Sequence, residues 1–297
     1  MTDAFPAMTD VGYTPQLEAP AAPGRLARLL RDPTAVLAAA TLALLVFAAV
    51  FAPVITHYNP LAISPGIRFR PPSAQHLFGT DHLGRDIFAI VLYGGRTSLL
   101  VGALVTAIAM GLAIVLGLVA GFYRRVDAVL MRIVDGVMAF PSIVLATAAT
   151  GYLGPSVQTV IIALSIVLIA PALRVVRGQV LIVRELPMIE AARAVGVPER
   201  RILARYMLPA ALSPIFVQTS FIFSAAVLGE AALSFIGLGV GPRDVSWGGA
   251  LTEARNYVAN AWWMLVFPGA ALLLAILSLN LLGDALRDAL DPRLVGR

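Results

Sequence analysis

The stretch RELPMIEAARAVGVPERRILARYMLP, residues 184–209, is a polar, arginine-rich island in an otherwise apolar chain. Pro187 suits the first turn of a helix, because proline lacks the N–H that is unpaired there. Gly196 can adopt the left-handed conformation that closes a helix, and Pro198 can open the next one. The stretch is therefore predicted to form a short helix over about 187–195, a glycine turn and a second helix.

The first of these helices is suited to contact another protein. Ala191, Ala192 and Ala194 carry no side-chain atom beyond Cβ, so another surface could approach them closely. Glu190 and Arg193 offer charges for pairing on the same helix. A solvated basic loop between two membrane spans is the simpler interpretation, and these residues alone leave both open.

The composition indicates a membrane protein. Of the 297 residues, 59% are hydrophobic and 13% are charged, against roughly 25% charged in a soluble domain. The chain has no cysteine, which excludes disulfides and thiolate metal sites. All 22 basic residues are arginine, and the absence of lysine excludes a Walker A P-loop, whose lysine contacts the nucleotide phosphates. The chain is therefore predicted not to be an enzyme, and energy for any transport must come from elsewhere.

Six apolar stretches are long enough to cross the roughly 30 Å hydrocarbon core of a bilayer as helices. Prolines inside several of them are compatible with membrane helices, where neighbouring groups satisfy the freed carbonyls. The chain is thus predicted to be an all-α, polytopic membrane protein with six transmembrane helices. The predicted spans are residues 35–55, 98–122, 133–152, 157–176, 212–236 and 262–282.

The arginines predict the orientation. Sixteen of the 22 lie in the N-terminal stretch, in 123–132, in 174–205 and in the C-terminal stretch, and six lie in the other loops. Because cytoplasmic loops carry an excess of basic residues, both termini and the arginine-rich stretch should be cytoplasmic. The three tryptophans, Trp247, Trp262 and Trp263, should then lie at the opposite interface.

The remaining divisions of the chain follow from composition. Residues 1–24 are proline-rich without hydrophobic periodicity and are predicted to be a disordered cytoplasmic tail. Residues 25–77 hold the first span and the start of an outer loop, 97–285 form the transmembrane core, and 286–297 form a cytoplasmic C-terminal tail.

Residues 78–96 are predicted to form a separate helix at the outer membrane interface. Thr80 or Asp81 can cap its N-terminus, and Gly94 and Gly95 can end it. Its apolar side would then lie along the membrane.

All three histidines, His57, His76 and His82, precede or enter this segment near Asp81 and Asp86. The grouping raises the question of a metal site, but the spacing is not that of a metal-ligand motif. No metal and no cofactor is predicted to bind this chain.

The order of residues in the arginine-rich stretch resembles the EAA loop of permease subunits in bacterial ABC importers. An EAA triplet at 190–192 is followed by three residues and a glycine, and a Leu-Pro pair ends thirteen residues after that glycine. Tyr206 stands where the family usually has isoleucine. The resemblance implies that this loop fits a cleft on an ATP-hydrolysing subunit. The implied ATPase-coupling residues are Glu190, Ala191, Ala192, Gly196, Leu208 and Pro209.

Further blocks resemble the second-type permease of dipeptide, oligopeptide and nickel importers. They are GTDHLGRD at 79–86 with RTSLLVG at 96–102, GFYRRVDAVLMRIVDGVMAFPS at 121–142, LGEAALSFIGLGVGPRDVSWG at 228–248 and NLLGDALRDALDPRL at 280–294. The resemblance implies that Asp81, Arg85 and Asp86 serve the structure of the outer loop or the docking of a receptor.

Two acidic residues fall within predicted spans, Asp135 and Glu230. A carboxylate inside the membrane costs at least about 2.5 kcal/mol, so it normally faces the bundle interior or water. Glu230, with Ser224, would line a translocation path, or Glu230 would bond to a neighbouring helix or to a partner permease. The structural role is favoured, because the resembled family carries an acid here across chemically different substrates.

The resemblance implies a permease of the type I ABC importer fold with a cytoplasmic coupling helix, located in the bacterial inner membrane. The implied partners are a second homologous permease, two cytoplasmic ATP-binding subunits that use ATP and Mg, an extracytoplasmic substrate-binding protein and membrane lipid, with no nucleic acid. Peptides are the expected substrate, and nickel or glutathione remains open. A stand-alone secondary transporter or channel is the alternative, although such carriers usually need several buried ionisable groups.

Overall fold

The computed structural model describes residues 32–241 and 243–290. Within these ranges the regular secondary structure is helical, which confirms the all-α prediction. The α-helices are α1 (Pro33–Val50), α2 (Ala52–Ile55), α3 (Ile87–Phe122), α4 (Arg124–Met138), α5 (Ser142–Leu153), α6 (Val157–Arg184), α7 (Pro187–Ala194), α8 (Glu199–Ile202), α9 (Leu208–Phe235), α10 (Trp247–Ala254) and α11 (Trp263–Leu290). A 3-10 turn covers Pro65–Ile67, and a π-helical turn covers Leu203–Met207 between α8 and α9.

Five of the described helices are long and apolar enough to cross a membrane. They are α1, α3, α6, α11, and α9 together with the turns before it. The α4–α5 pair adds a sixth crossing if it is one broken span, because it is bent by 84°. The prediction that the third span is one helix over 133–152 is therefore wrong. The break lies at Ala139–Pro141, since proline disfavours helical geometry in the residue before it and cannot donate to a preceding turn.

The separate outer helix predicted for 78–96 is also wrong. Asp86 caps α3, with its Oδ1 atom accepting the backbone N–H of Ala89 at 2.7 Å. From that cap α3 runs without interruption to Phe122. The outer segment before Asp86 is a loop.

Gly94 and Gly95 continue this helix instead of ending it. A Cβ on Gly94 would lie 3.1 Å from the backbone of Ser246, and one on Gly95 would lie 2.8 Å from the ring of Trp247. The two glycines are therefore sites of close approach for α10. Sequence pattern could not distinguish this use of glycine from a helix end.

The central pair of helices is α3 against α6. A Cβ on Gly117 would lie 2.7 Å from the Val176 side chain, and one on Gly121 would lie 2.5 Å from that of Val180. The glycines of this G-x-x-x-G pair therefore allow the backbones to approach, as such pairs do in membrane helices.

We expect Gly121→Ala to destabilise the protein, because the added methyl group overlaps a stiff β-branched side chain and overpacking costs about 1–3 kcal/mol. Gly111→Ala is the matched control, since no atom lies within 4 Å of a Cβ placed there. Thermal unfolding of both variants in detergent measures the difference. An equal melting temperature for the two variants would contradict this account of the α3–α6 contact.

Two of the three tryptophans predicted at the membrane interface are buried within the protein. The Trp247 side chain is 1% exposed, and its indole N–H donates to the Val91 carbonyl at 2.8 Å. Trp263 is also buried and donates to the Thr80 carbonyl at 3.0 Å. These two rings fix α10 and α11 to the N-terminal end of α3, and of the three only Trp262 is exposed.

The predicted tail over 1–24 lies outside the described residues, as do residues 291–297. The C-terminal tail predicted from residue 286 overlaps the last residues of α11, which continues to Leu290.

Candidate coupling site

The arginine-rich stretch forms a helix, a glycine turn and a second helix, as predicted. Gly196, two residues after the end of α7, has a φ of 78°, in the left-handed region. The Gly196 N–H donates to the Arg193 carbonyl and the Val197 N–H donates to the Ala192 carbonyl, each at 3.0 Å. This pair of hydrogen bonds is a Schellman motif, which satisfies the last carbonyls of a helix.

One face of α7 is anchored in the protein. Ile189 and Ala192 are buried, and so is Ile202 on α8. All three belong to a hydrophobic cluster that also contains Val176, Val180 and Ile215 from α6 and α9. The position of α7 is therefore fixed by the membrane helices beneath it.

The opposite face of α7 is exposed and carries small side chains. Glu190, Ala191 and Ala194 are exposed, and Val195 at the end of the helix is 79% exposed. Glu190 takes part in none of the ion pairs formed within residues 32–241 and 243–290. The exposed face thus combines room for close approach with a free carboxylate.

Not every predicted coupling residue lies on this face. Ala192 lies in the hydrophobic cluster, so its small size serves the internal packing of α7 and not an external contact. Leu208 is half-buried against the same cluster, whereas Pro209 is exposed in the first turn of α9. The structure therefore divides the predicted set into exposed residues and supporting residues.

Three side-chain contacts attach the loop to the end of α3. The Tyr123 hydroxyl donates to Glu199 Oε2 at 2.7 Å. Arg184 Nη1 donates to the Gly121 carbonyl at 3.0 Å. The Arg193 guanidinium lies 5.3 Å from the centre of the Phe122 ring, within the range of a cation–π contact. Sequence analysis missed these contacts, because no local pattern pairs residues so far apart in the chain.

Ion pairs attach α4 to α6 near the same end. Arg177 binds both carboxylate oxygens of Asp127, with Nη2 at 2.6 Å from Oδ2. Arg174 Nη2 lies 2.6 Å from Asp135 Oδ1. Asp135, one of the two acids in predicted spans, is therefore paired.

Glu230, the other acid, is enclosed by its own chain. Its side chain is 0% exposed, and its two oxygens accept hydrogen bonds from Ser98 Oγ at 2.8 Å and Ser234 Oγ at 2.7 Å. The Ser98 hydroxyl also accepts the backbone N–H of Trp247 at 3.2 Å. Glu230 therefore joins α9, α3 and α10, which is the structural role favoured from the sequence.

Ser224, predicted with Glu230 to line a translocation path, is also buried. In the conformation described, both residues lie inside the helix bundle. A role for the two residues in a translocation path stays a prediction.

In the outer loop, Asp81 organises a tight turn. Its Oδ1 atom accepts the N–H groups of Leu83 and Arg85, each at 2.8 Å, and the Arg85 guanidinium pairs with Asp81 and Glu253. Burial of that guanidinium disfavours its charge, but the two carboxylates outweigh burial and raise the pKa of Arg85 above its ordinary value. Asp81 and Asp86 are both buried, so their geometry fits a structural role better than receptor docking.

Asp86 has a second partner besides the α3 backbone. Its Oδ2 atom shares a hydrogen bond of 2.8 Å with His76 Nδ1. This contact accounts for one of the histidines considered for a metal site.

The ligand atoms of Asp81, His82 and Glu253 lie within 4.8 Å of one another. The charge of Arg85 already pairs with both carboxylates, so the group does not fit a divalent cation. The absence of a bound metal stays a prediction.

Comparisons with known proteins agree with this architecture. The sequence profile of the family described as "Binding-protein-dependent transport system inner membrane component" matches residues 113–296, and that of the "N-terminal TM domain of oligopeptide transport permease C" matches residues 24–72. A protein of Brucella abortus named as a peptide transport system permease is 44% identical over 267 residues, 90% of each chain. The dipeptide transport system permease protein DppC of Alkalihalophilus pseudofirmus is 43% identical over 247 residues, 83% of this chain and 81% of that protein.

Among solved structures, a chain of the inward-facing MetNI methionine ABC transporter superposes with a TM-score of 0.55. The match covers 70% of this chain and 97% of that chain at 20% identity, so the likeness is one of fold. Both the sequence and the fold thus lead to one assignment. The chain is a multi-pass membrane protein that belongs to the family of binding-protein-dependent transport system inner membrane components.

Proposed function

We propose that this chain is a permease subunit of an ATP-driven importer that moves peptides across the bacterial inner membrane by alternating access. Relatives named as peptide and dipeptide permeases, 44% and 43% identical, support the substrate class. Glutathione and nickel are the alternative substrates. The chain lacks lysine and so has no Walker A motif of its own, which supports ATP and Mg acting on partner subunits.

The main support for this proposal is helix α7, which is anchored on one face. Its exposed face, formed by Glu190, Ala191 and Ala194 and followed by Gly196, is the proposed contact for a cytoplasmic ATP-binding subunit. Its buried face is held in the hydrophobic cluster by Ile189. A helix fixed on one side and exposed on the other must transmit a displacement to the helices beneath it, because close-packed interiors have low compressibility.

The contacts at the end of α3 connect α7 to the membrane helices that this displacement would move. The Tyr123–Glu199 hydrogen bond and the stacking of Arg193 on Phe122 connect the loop to α3. The Arg177–Asp127 pair connects α6 to the broken span α4–α5. When ATP draws the two partner subunits together, α7 moves with them and the spans rock between inward-facing and outward-facing arrangements.

The complete importer would contain two permeases, two ATP-binding subunits and an extracytoplasmic substrate-binding protein. The orientation is proposed from the arginines, of which sixteen of 22 lie in the termini and in the loops on the α7 side. By the positive-inside rule these segments are cytoplasmic.

The orientation and the contact can be tested together by cysteine labelling, because the natural chain has no cysteine. In intact cells, Ala191→Cys should resist a membrane-impermeant maleimide, whereas Asn59→Cys in the outer loop should react. In inverted vesicles with the partner subunits present, Ala191→Cys should form a cross-link to the ATP-binding subunit. The matched control is Arg200→Cys, which is also exposed but lies on α8 and should cross-link more weakly.

Two outcomes would contradict the proposal. One is labelling of Ala191→Cys from outside the cell. The other is substrate uptake by the purified chain alone in liposomes without ATP, which would favour a stand-alone secondary transporter.

A further inference from the structure

The end of the bundle opposite α7 contains a cavity of about 590 Å³ that the proposed function does not use. It lies between the segment after α2, the first third of α3 and the loop before α10. The residues that give it chemical character are Tyr58, Asn59, Tyr93, Arg96, Thr97 and Arg243.

The length of α3 places this cavity relative to the membrane. Its 36 residues extend about 54 Å at 1.5 Å per residue, well beyond the roughly 30 Å hydrocarbon core. Arg96 precedes Phe122 by 26 residues, or about 39 Å along the axis, so Arg96 lies in the headgroup layer when Phe122 lies at the opposite boundary. Tyr58 and Tyr93 are aromatic residues of the kind found at that depth.

The charge of the cavity favours an anion. Arg96 and Arg243 are both exposed, and neither joins an ion pair within residues 32–241 and 243–290. Asp244 is the acidic residue of the lining, so the two guanidinium groups leave an excess of positive charge. Guanidinium groups bind phosphate through paired hydrogen bonds.

An apolar surface adjoins the cavity. Pro53 forms part of its lining, and beside it Val50, Val54 and Ile55 are exposed, Val54 to 74%. Helix α1 buries Ala35, Ala38 and Ala49 and leaves most of its larger apolar side chains exposed. The cavity could thus bind the phosphate of a ligand while the adjoining apolar surface contacts its hydrocarbon chains.

We propose that this cavity binds the headgroup of a membrane phospholipid. Its phosphate lies between Arg96 and Arg243, and its acyl chains lie along Val50 and Val54. The ligand holds the loop before α10 to the outer end of α3. The proposal is independent of the transported substrate and of the coupling role of α7.

The test uses the full chain in nanodiscs of phosphatidylglycerol and phosphatidylethanolamine, released for native mass spectrometry. The variants are Arg96→Gln with Arg243→Gln, and the matched control is Arg70→Gln, an exposed outer-loop arginine outside the cavity lining. Each basic residue near a lipid surface contributes about fivefold to binding, so the double variant should retain about twenty-fivefold less phospholipid than the natural chain. The control should retain as much as the natural chain.

Inorganic phosphate added to detergent-purified protein distinguishes lipid from a free anion. Equal lipid retention by the double variant and the control would overturn the proposal. The proposal would also be overturned if inorganic phosphate stabilised the protein against unfolding while the protein retained no phospholipid. The ligand would then be a soluble anion. A double variant that is inserted and folded by its circular dichroism spectrum, but has lost the retained lipid, would support it.

Discussion

Glu190→Arg is expected to abolish ATP-driven uptake while the chain still inserts into the membrane. Glu190 lies on the exposed face of α7, and its carboxylate is in no ion pair within the described residues. Reversing a charge in a protein contact leaves a partner charge unpaired, at a cost of roughly 2–5 kcal/mol. Because the substitution touches no residue of the hydrophobic cluster, folding should be retained.

Uptake of radiolabelled dipeptide by right-side-out vesicles that contain all subunits, with ATP enclosed, measures the effect. Glu185→Arg is the control, because this exposed carboxylate lies on the same loop but outside α7 and pairs with the adjacent Arg184. The membrane content of each variant is compared by immunoblot. Normal uptake by a well-inserted Glu190→Arg protein would show that α7 is not the coupling contact.

Gly196→Val tests the backbone conformation at the end of α7 without changing its charge, in the same uptake assay. Nothing lies within 4 Å of a Cβ at this position, so the expected damage comes from the left-handed backbone and not from a clash. Gly196→Asn is the matched variant, because asparagine tolerates that conformation better than a β-branched residue. Asparagine should retain more uptake than valine.

Glu230→Ala is expected to lower the stability of the inserted protein by about 2 to 4 kcal/mol. The substitution removes a buried carboxylate and leaves the hydroxyl groups of Ser98 and Ser234 without their acceptor. Buried polar groups without a partner and the cavity left by truncation both destabilise. The effect should extend to the position of α10, because Ser98 also accepts the Trp247 N–H.

Glu230→Gln is the size-matched control, because its amide can still accept at one oxygen. Thermal unfolding in detergent reports stability, and the emission spectrum of the three tryptophans, which include Trp247, reports packing. A Glu230→Ala protein that is fully stable but defective in uptake would contradict the structural role and return Glu230 to the translocation path. Equal unfolding temperatures for alanine and glutamine would also count against it.

The sequence predicted the conformation of residues 184–209 closely, because its signals are local. Pro187 and Gly196 act through their own backbone restrictions, and the structure has a helix between them with a left-handed turn at the glycine. The resemblance in the same stretch identified the family that the comparisons confirm. Which alanines face outward was not predictable from it. Ala192 is buried and Ala191 exposed because of the helices that lie beneath α7.

The membrane spans, too, were predictable from the sequence in part, whereas their packing contacts were not. Hydropathy located them, since a bilayer requires long apolar helices with satisfied backbone groups. It did not reveal that Gly94 and Gly95 continue α3, because a glycine that ends a helix and one that admits a neighbour look alike in sequence. The neighbour in this case is Trp247, about 150 residues away.

The amino-acid sequence by itself determined the class of protein, the long apolar helices and the proline and glycine turn that shape α7. Hydrophobicity, proline geometry and the left-handed preference of glycine operate within a few residues. The tertiary structure alone decided the enclosure of Glu230 by two serines and the cavity beside Arg96. These features depend on contacts between distant segments, whose partners are chosen by packing and not by local pattern.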